Sequence, residues 1–417
     1  MSKSLLDPKC VPLALYIHVP WCIKKCPYCD FNSHPLTDAD QFTAYVDALL
    51  ADANAQVALA QQRPIGSIFI GGGTPSLLPV AEFERLFVGL QRQYRFTDDI
   101  EITLEVNPGT VEHAPFTQYL KLGINRLSIG VQSFDANHLA RLGRIHDGTQ
   151  AKTPKEQARQ AGCHRLNVDL MHGLPKQTPS SALSDLTQAL DAGATHLSWY
   201  QLTIEPNTIF YRRPPILPDE DGLADIEHMG RTALLQANFN NYEISAWVGK
   251  QDMPCRHNVN YWQFGDYLAI GAGAHGKITT DTDTLKDALA MMGGTSDVIN
   301  HHDDGAFVVC RFSKSRLPKD YLTYQTAPKM VSLDVINNNQ LVGEFMMDAL
   351  RLSQGFTSRL FGERTGLAWA SVDLTIQRLQ QQGLLHIQGG TIDDDGHTVC
   401  ATELGRRYLN QVIAEFL

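Results

Sequence analysis

Six short runs rich in β-branched and aromatic residues recur along the N-terminal part of the chain: LALYIHV (13–19), SIFIGG (67–72), IEITLEVN (100–107), RLSIGVQ (126–132), RLNVDLMHG (165–173) and HLSWYQLTI (196–204). Helix-length segments lie between them. The first, residues 40–62, sets Phe42, Val46, Leu49, Ala53 and Val57 at three- and four-residue steps, one face of a helix. Further helical patterns fall at 79–95, 112–122, 179–192 and 220–239. Strand, helix, strand at this spacing predicts an α/β fold with parallel strands, because a short hairpin cannot join two parallel strands and a covering helix can. Six units are too few to close an eight-unit barrel, which leaves an open partial barrel or a doubly wound sheet. Both gather ligands at the carboxyl ends of the strands.

Beyond this core, the Gly-, Asp- and Asn-rich stretch 279–305 predicts a connecting region with little core of its own. From about 340 the pattern turns helical (EFMMDALRL, ERTGL, SVDLTIQRLQQQGLL) and ends in the strand-like pieces HIQG and HTVCA around DDDG, a winged-helix-like arrangement. The organisation expected is therefore a core over 1–280, a connector over 281–335 and a C-terminal, mostly helical, winged-helix-like domain over 336–417.

The chain has 417 residues, of which 43% are hydrophobic, enough for a substantial buried core. Its 45 acidic and 35 basic residues give a net charge of -10, with no Lys/Arg-rich block, so nucleic acid is not an expected partner. The first residues lack a cationic, apolar, small-residue leader pattern, and no apolar run approaches the roughly 18 residues that span a bilayer. A cytoplasmic location is expected. There, clustered cysteines point to metal or redox chemistry more than to disulfides.

Of the 8 cysteines, three occur in CIKKCPYC, at Cys22, Cys26 and Cys29, just past the first predicted strand. Three thiolates with C-x3-C-x2-C spacing can surround one centre on a loop. A structural zinc ion needs a fourth ligand, for which His18 and His34 are nearest in sequence. A [4Fe-4S] cluster takes three thiolates and leaves one iron free for a small molecule. The spacing alone leaves both open. GGGTP (71–75) ends the second strand, where glycines let backbone approach a ligand, or simply make a tight turn. Glu105, Gln132, Arg144 and Asp169 fall on strands or just beyond them, where a buried polar group without a partner costs about 1–3 kcal/mol. For any one of them a structural hydrogen bond is as ordinary a role as ligand contact. As a set they predict a shared polar ligand.

The cysteine spacing, led by a strand and followed by aromatic residues, resembles that of the radical S-adenosylmethionine (radical SAM) superfamily. The resemblance implies a partial (β/α)6, TIM-like barrel and a [4Fe-4S] cluster whose free iron chelates the amino and carboxylate groups of S-adenosylmethionine, an electron from the cluster then releasing a 5'-deoxyadenosyl radical. The longer motifs YIHVPWCIKKCPYCDF, GGGTP, EVNPGT, GINRLSIGVQSF, LGRIHD, NVDLMHGLPKQT and YQLTIEPNT are similar to those of the oxygen-independent coproporphyrinogen III oxidase (HemN) family and its relatives. By that resemblance Tyr16, Tyr28, Gly72, Gly73, Thr74, Glu105, Gln132, Arg144 and Asp169 contact the cofactor, and Cys22, Cys26 and Cys29 hold the cluster.

Two departures separate the chain from the oxidases. Phe31 stands where they carry a further cysteine, and only 21 residues precede Cys22 where they have a longer segment. In CRHNVNYWQFGDYLAIGAGAHG (255–276) the HN-x2-YW element resembles the HemW branch of haem chaperones, as do EFMMDALRL and TELGRRYLNQVIAEFL. That resemblance implies haem as cargo, delivered to recipient haemoproteins, membrane-bound respiratory enzymes among them, with dimer formation accompanying the cluster. His257 offers an axial iron ligand, and Asn258, Tyr261 and Trp262 complete the element with flat apolar surface; a packed, hydrogen-bonded corner is the structural alternative. The function expected is haem chaperoning without coproporphyrinogen oxidation; the alternative is the oxidase, a radical SAM decarboxylase. In TQAKTPKEQARQAG (149–162) Pro154 predicts a helix that starts late, near Thr153, with 148–152 as loop. His301 and His302 are expected to be solvated.

Overall fold

The structure is a computed structural model that describes residues 6–38, 40–108, 114–144, 153–294, 299, 307–324, 326–328, 330–389 and 396–417. Six parallel strands form its centre: β1 (Leu13–Val19), β2 (Ile65–Gly72), β3 (Phe96–Val106), β4 (Arg126–Gln132), β5 (Arg165–His172) and β6 (His196–Gln201). Each pairs in parallel with the next, and their order in the sheet follows the chain without reversal. That order is the partial-barrel solution; a doubly wound sheet would reverse direction at a switch point. The strand Asp266–Ile270 adds in parallel to the free side of β1. Antiparallel strands then extend both edges to give a 12-stranded sheet.

Helices Gln41–Ala55, Val80–Gln93, Phe116–Lys121, Thr153–Gln160, Pro179–Asp191 and Glu220–Gln236 follow the central strands in turn. Local chemistry sets their starts: the Thr178 hydroxyl accepts from the Ser181 amide in a capping box with Pro179 in the first turn, and Asp219 accepts from Gly222. The first helix stops at Ala55, before Val57, which is 36% exposed and lies off the face predicted for it. A short helix, Ala136–Arg141, follows β4 directly, and helix Thr153–Gln160 precedes β5; residues 145–152, on which the expected loop falls, lie outside the described residues.

Strand periodicity divides the sheet into two faces. Leu15, Ile17, Ile68, Ile70, Leu104, Leu127, Ile129, Val168 and Leu170 point outward under the helices and are fully buried in one core. Each such side chain contributes up to about 1.5–3 kcal/mol by burial. The alternate residues face the concave side, and these are largely polar: Glu105 on β3; Arg126, Ser128 and Gln132 on β4; Asn167 and Asp169 on β5; Ser198 and Tyr200 on β6.

The stretch expected to connect two domains does more than connect. Helix Thr282–Met292 and strands Phe307–Lys314 and Met330–Val335 join the large sheet, and Leu285, Leu289, Ile299, Val308, Cys310, Phe312, Tyr321 and Leu333 belong to the first core. Its burial rests on a fully enclosed ion pair, Lys314 Nζ to Asp52 Oδ1 at 2.6 Å, with Tyr321 donating to Asp52 Oδ2. His301 and His302 fall outside the described residues. A second core gathers Leu341, Phe345, Phe356, Phe361, Ile376, Leu379, Leu385, Val399 and Val412 around helices Asn338–Ala349, Ser358–Thr365 and Asp373–Gln381. Strands Leu385–Gln388 and Thr398–Ala401 pair antiparallel there as the sequence predicts, and Phe356–Thr357 adds a third strand. No helix among the described residues is long and apolar enough to cross a membrane.

Candidate functional site

The cysteine loop is closed at its root. Trp21–Cys22 pairs with His34–Pro35, and the Leu36 amide donates to the Cys22 carbonyl at 2.9 Å. The Trp21 ring locks this root into the core against Tyr45 and Phe42, at 4.7 and 5.5 Å between centroids. Within the loop, Cys29 N donates to Cys26 O, and Lys25 Nζ donates to the carbonyls of Phe31 and Ser33. Burial pushes the Cys22 thiol up to about 11; hydrogen bonds from Thr74 and Ser33 oppose the shift, and the charges of Cys26 and Cys29 add to it. Burial raises Cys29 as well. The three thiols therefore feel one another electrostatically while each comes from a different part of the loop.

The glycine run after β2 is required first by the protein itself. A Cβ on Gly73 would sit 2.5 Å from the Trp21 carbonyl oxygen, and one on Gly72, whose φ is +118°, would sit 2.6 Å from the His18 ring. This tight packing lets the Gly73 and Thr74 amides donate to the carbonyls of Val19 and Trp21 at 2.8 and 2.7 Å, which fixes the cysteine loop to β2. Of the two roles expected for these glycines, the tight turn is the one seen, with a close approach to the chain's own backbone, and Gly72, Gly73 and Thr74 also face the cavity.

That cavity, about 700 Å³, lies on the concave side at the carboxyl ends of the strands. All three cysteines line it, together with Tyr28, Gly72, Gly73, Thr74, Glu105, Gln132, Arg144 and Asp169. Arg144 ties its layers together, donating to Cys26 Sγ at 3.6 Å, Asn107 Oδ1 at 3.0 Å and the Gly130 carbonyl at 2.5 Å. Asn107 in turn donates to Thr74 Oγ1. Glu105 accepts from the Gly72 amide at 3.2 Å, and burial together with the charge of Asp169 pushes its carboxyl up to about 8. Asp169 accepts from Asn167 Nδ2 at 2.7 Å and Ser128 Oγ at 2.9 Å, and burial raises its pKa. Gln132 takes a left-handed φ of +68° at its strand end and accepts from the Tyr200 hydroxyl at 2.7 Å. A non-glycine residue in that region marks backbone held by its surroundings at a site.

Tyr16 is the one proposed cofactor contact that does not line the cavity. Its hydroxyl pairs with His18 Nδ1 at 2.9 Å, and its ring lies behind Phe69 and His257. His257, Asn258, Tyr261 and Trp262, on helix Arg256–Trp262, line the same cavity as the cysteines. Burial pulls His257 down to about 4, so its imidazole is neutral; its Nδ1 has no hydrogen-bond partner, and its ring stacks on Phe69 at 4.8 Å. Tyr261 meets Trp262 edge-on at 5.0 Å.

The two histidines nearest the cysteines in sequence make hydrogen bonds of their own. His18 uses Nε2 on the Asn32 carbonyl and Nδ1 on Tyr16, while His34 is bound to Asn32 Oδ1 and the Arg316 carbonyl. Among the described residues no three His, Cys, Asp or Glu side chains are grouped for one metal ion; the three thiols lie along one rim of the cavity. Three soft thiols on that rim, the Arg144 cation beside Cys26 and an open side toward Gly72–Thr74 fit an iron–sulfur cluster with one free iron. Residues not singled out in the sequence also line the cavity: Asn107, Arg126, Ser128, Asn167, Ser198, Tyr200 and Glu243. The signal for two of them was present, since Arg126 and Ser128 alternate with Leu127 and Ile129 along the strand that ends in Gln132.

Parallel strands in chain order, three thiols past the end of the first and a polar concave face define a radical SAM core, and residues 16–187 match the radical SAM superfamily. The superfamily implies a [4Fe-4S] cluster and S-adenosylmethionine. Residues 336–408 match the HemN C-terminal domain. The chain is 42% identical to the heme chaperone HemW of Haemophilus influenzae, over 98% of this chain and 99% of that one. It is 41% identical to the Escherichia coli heme chaperone HemW over the same shares. The coproporphyrinogen III oxidase HemN from Escherichia coli superposes with a TM-score of 0.75 over 99% of this chain and 92% of that chain, at 22% identity, and so shares the fold. The chain belongs to the HemW family of the radical SAM superfamily.

Proposed function

We propose that the protein is a haem chaperone of the HemW type, which binds a [4Fe-4S] cluster, S-adenosylmethionine and haem, and passes haem to recipient haemoproteins. The observation that carries this reading is the one cavity whose one side bears Cys22, Cys26, Cys29 and the strand-end polar residues, and whose other side bears His257, Asn258, Tyr261 and Trp262 of helix Arg256–Trp262. Cys22, Cys26 and Cys29 hold the cluster, which supplies an open iron for the methionine end of the cofactor. Gly72, Gly73 and Thr74 present backbone polar groups to that end, while Tyr28, Glu105, Gln132, Arg144 and Asp169 orient the rest. Tyr16 acts from behind, by fixing His18 and the aromatic wall. Haem lies against Tyr261 and Trp262, and the neutral imidazole of His257 is in the protonation state that iron ligation requires. The relatives' name as heme chaperones supports the cargo, and Phe31 at the cavity wall, where the oxidases carry cysteine, counts against decarboxylation.

The test is anaerobic reconstitution followed by two assays on one preparation: incubation with coproporphyrinogen III, S-adenosylmethionine and reductant, and a haem titration followed in the Soret band. Stoichiometric haem binding without protoporphyrinogen formation is the expected result; protoporphyrinogen formation replaces the chaperone reading with the oxidase. Cys26→Ser is expected to lose iron and sulfide together, and retention of both overturns the ligand assignment.

A further inference from the structure

Below the layer that holds the cofactor, the cavity has a charged floor that nothing above employs. Arg126, on β4, lines the cavity and is 2% exposed. Its Nε has no hydrogen-bond partner, and no ion pair reaches its guanidinium among the described residues. None of the surrounding carboxylates is hydrogen-bonded to it: Glu105 accepts from the Gly72 amide, and three others are committed elsewhere. Glu101 accepts from Arg165 NH1 at 2.5 Å through one oxygen, and from the Arg256 amide at 2.9 Å and Cys255 Sγ through the other. Asp252 accepts from Arg165 Nε and Thr195 Oγ1, and both oxygens of Asp169 are taken by Asn167 and Ser128. A guanidinium cannot shed its proton, and burying one without hydrogen-bond acceptors is costly. His257 Nδ1, on the same cavity, is likewise without a partner; burial lowers its pKa, the Glu101 charge opposes that shift and the Arg126 charge adds to it.

We infer that Arg126 is an anion-binding residue of the cargo site, receiving a carboxylate of the bound tetrapyrrole while the macrocycle lies against His257, Tyr261 and Trp262. This rests on the haem-carrying reading and adds the orientation of the cargo: one propionate points down to the cavity floor. A guanidinium fork matches a planar carboxylate. The carboxylate of S-adenosylmethionine is the other source in the same cavity, but its place is at the cysteine rim, where Arg144 reaches Cys26 and Gly130. Arg126 is four residues lower on β4 than Gly130, about 13 Å of extended strand.

Full-length protein, reconstituted anaerobically, would be titrated with haem, with haem dimethyl ester and with S-adenosylmethionine, as wild type, Arg126→Gln and Arg126→Lys. Wild type is expected to bind haem more tightly than the ester. Arg126→Gln is expected to weaken haem by roughly ten- to a hundred-fold, the range of a charged hydrogen bond, to leave the ester within about twofold and to spare S-adenosylmethionine; Arg126→Lys falls between. Equal affinity of the wild type for haem and ester overturns the inference without any variant. So does equal loss of both ligands in Arg126→Gln, or weakening of S-adenosylmethionine in place of haem, which would reassign the carboxylate. A wild type that binds neither tetrapyrrole defeats the haem-carrying reading itself, and the inference with it.

Discussion

Gly73→Ala is the smallest change expected to move the cysteine loop. The added Cβ would lie 2.5, 2.8 and 2.9 Å from the carbonyl oxygen, carbon and nitrogen of Trp21, where ordinary contact begins at 3.4 Å, so two backbone segments must part by 0.9 Å, the difference between 3.4 and 2.5. Neither yields easily. The Trp21 ring is wedged against Tyr45 and Phe42, and the Gly73 and Thr74 amides are bound to the carbonyls of Val19 and Trp21. Overpacking of this kind costs about 1–3 kcal/mol, and loss of the Thr74-to-Trp21 hydrogen bond adds about 1 kcal/mol, for a total near ~2–4 kcal/mol. Urea unfolding of the metal-free, reduced protein measures the stability loss, and iron and sulfide per chain after anaerobic reconstitution measure the loop. The control is Gly230→Ala, whose Cβ would meet the Trp199 ring at 2.1 Å, far from the cysteines and of similar cost. Gly73→Ala is expected to lose both stability and iron, Gly230→Ala stability alone. If Gly73→Ala unfolds within about 0.5 kcal/mol of wild type, a shift typical of surface substitutions, and keeps its iron, the loop is not held as described; equal iron loss in Gly230→Ala refutes the specific link to the cysteines.

Burial lifts Glu105 from 4.5 to about 8, so the native state keeps a proton that the unfolded chain releases. Its contribution is present below the unfolded value and fades as pH rises through about 8, by up to a few kcal/mol; metal-free Glu105→Gln is expected to show a flatter stability profile between pH 5 and 9 in urea melts. Lys314→Met strands Asp52 in the core and is expected to cost about 3–5 kcal/mol, measured the same way; a loss under about 1 kcal/mol would show that the pair is solvated. Tyr200→Phe removes the hydroxyl bound to Gln132 Oε1, with an expected stability cost of about 0.5–1.5 kcal/mol and weaker S-adenosylmethionine binding by calorimetry. Unchanged cofactor affinity would separate Gln132 from the cofactor.

The central strands were legible because their outward residues form unbroken periodic apolar sets, and the predicted β1 and β4 coincide with the observed ones. The cysteines were legible because their spacing is local. The connector was misread because the turn-rich composition of 279–305 hides that the strands on either side of it, His275–Asp281 and Phe307–Lys314, pair with each other in the large sheet, and because the buried Lys314 finds its partner, Asp52, only in three dimensions. What fixes the glycines was only partly legible for a related cause: a tight turn could be read, but Gly73 answers to the backbone at Trp21, a contact that no pattern around residue 73 encodes. Tyr16 stands on a site strand, but one side-chain layer away from the cavity it supports.

The concave face of the barrel carries a general lesson about the site. A parallel sheet covered on both faces by protein is expected to read as continuous apolar runs, and a closed barrel fills its interior with layers of branched apolar side chains. Here β4, β5 and β6 alternate, Leu127, Ile129, Val168 and Leu197 outward against Ser128, Asn167, Asp169 and Ser198 inward. The inward groups satisfy one another in part: Asn167 donates to Ser128, Asp169 and Ser198 and accepts from His196, a network that fixes the middle of the interior without a ligand. Among the described cavity-lining residues, unpartnered buried atoms lie above and below that network, at Arg144 Nε near the cysteine rim and at Arg126 Nε and His257 Nδ1 toward the floor, with Trp262 Nε1 a fourth on the cavity wall. Polar atoms left without partners on two levels of one cavity, separated by a level that is already complete, are what two ligands stacked in a single barrel would require.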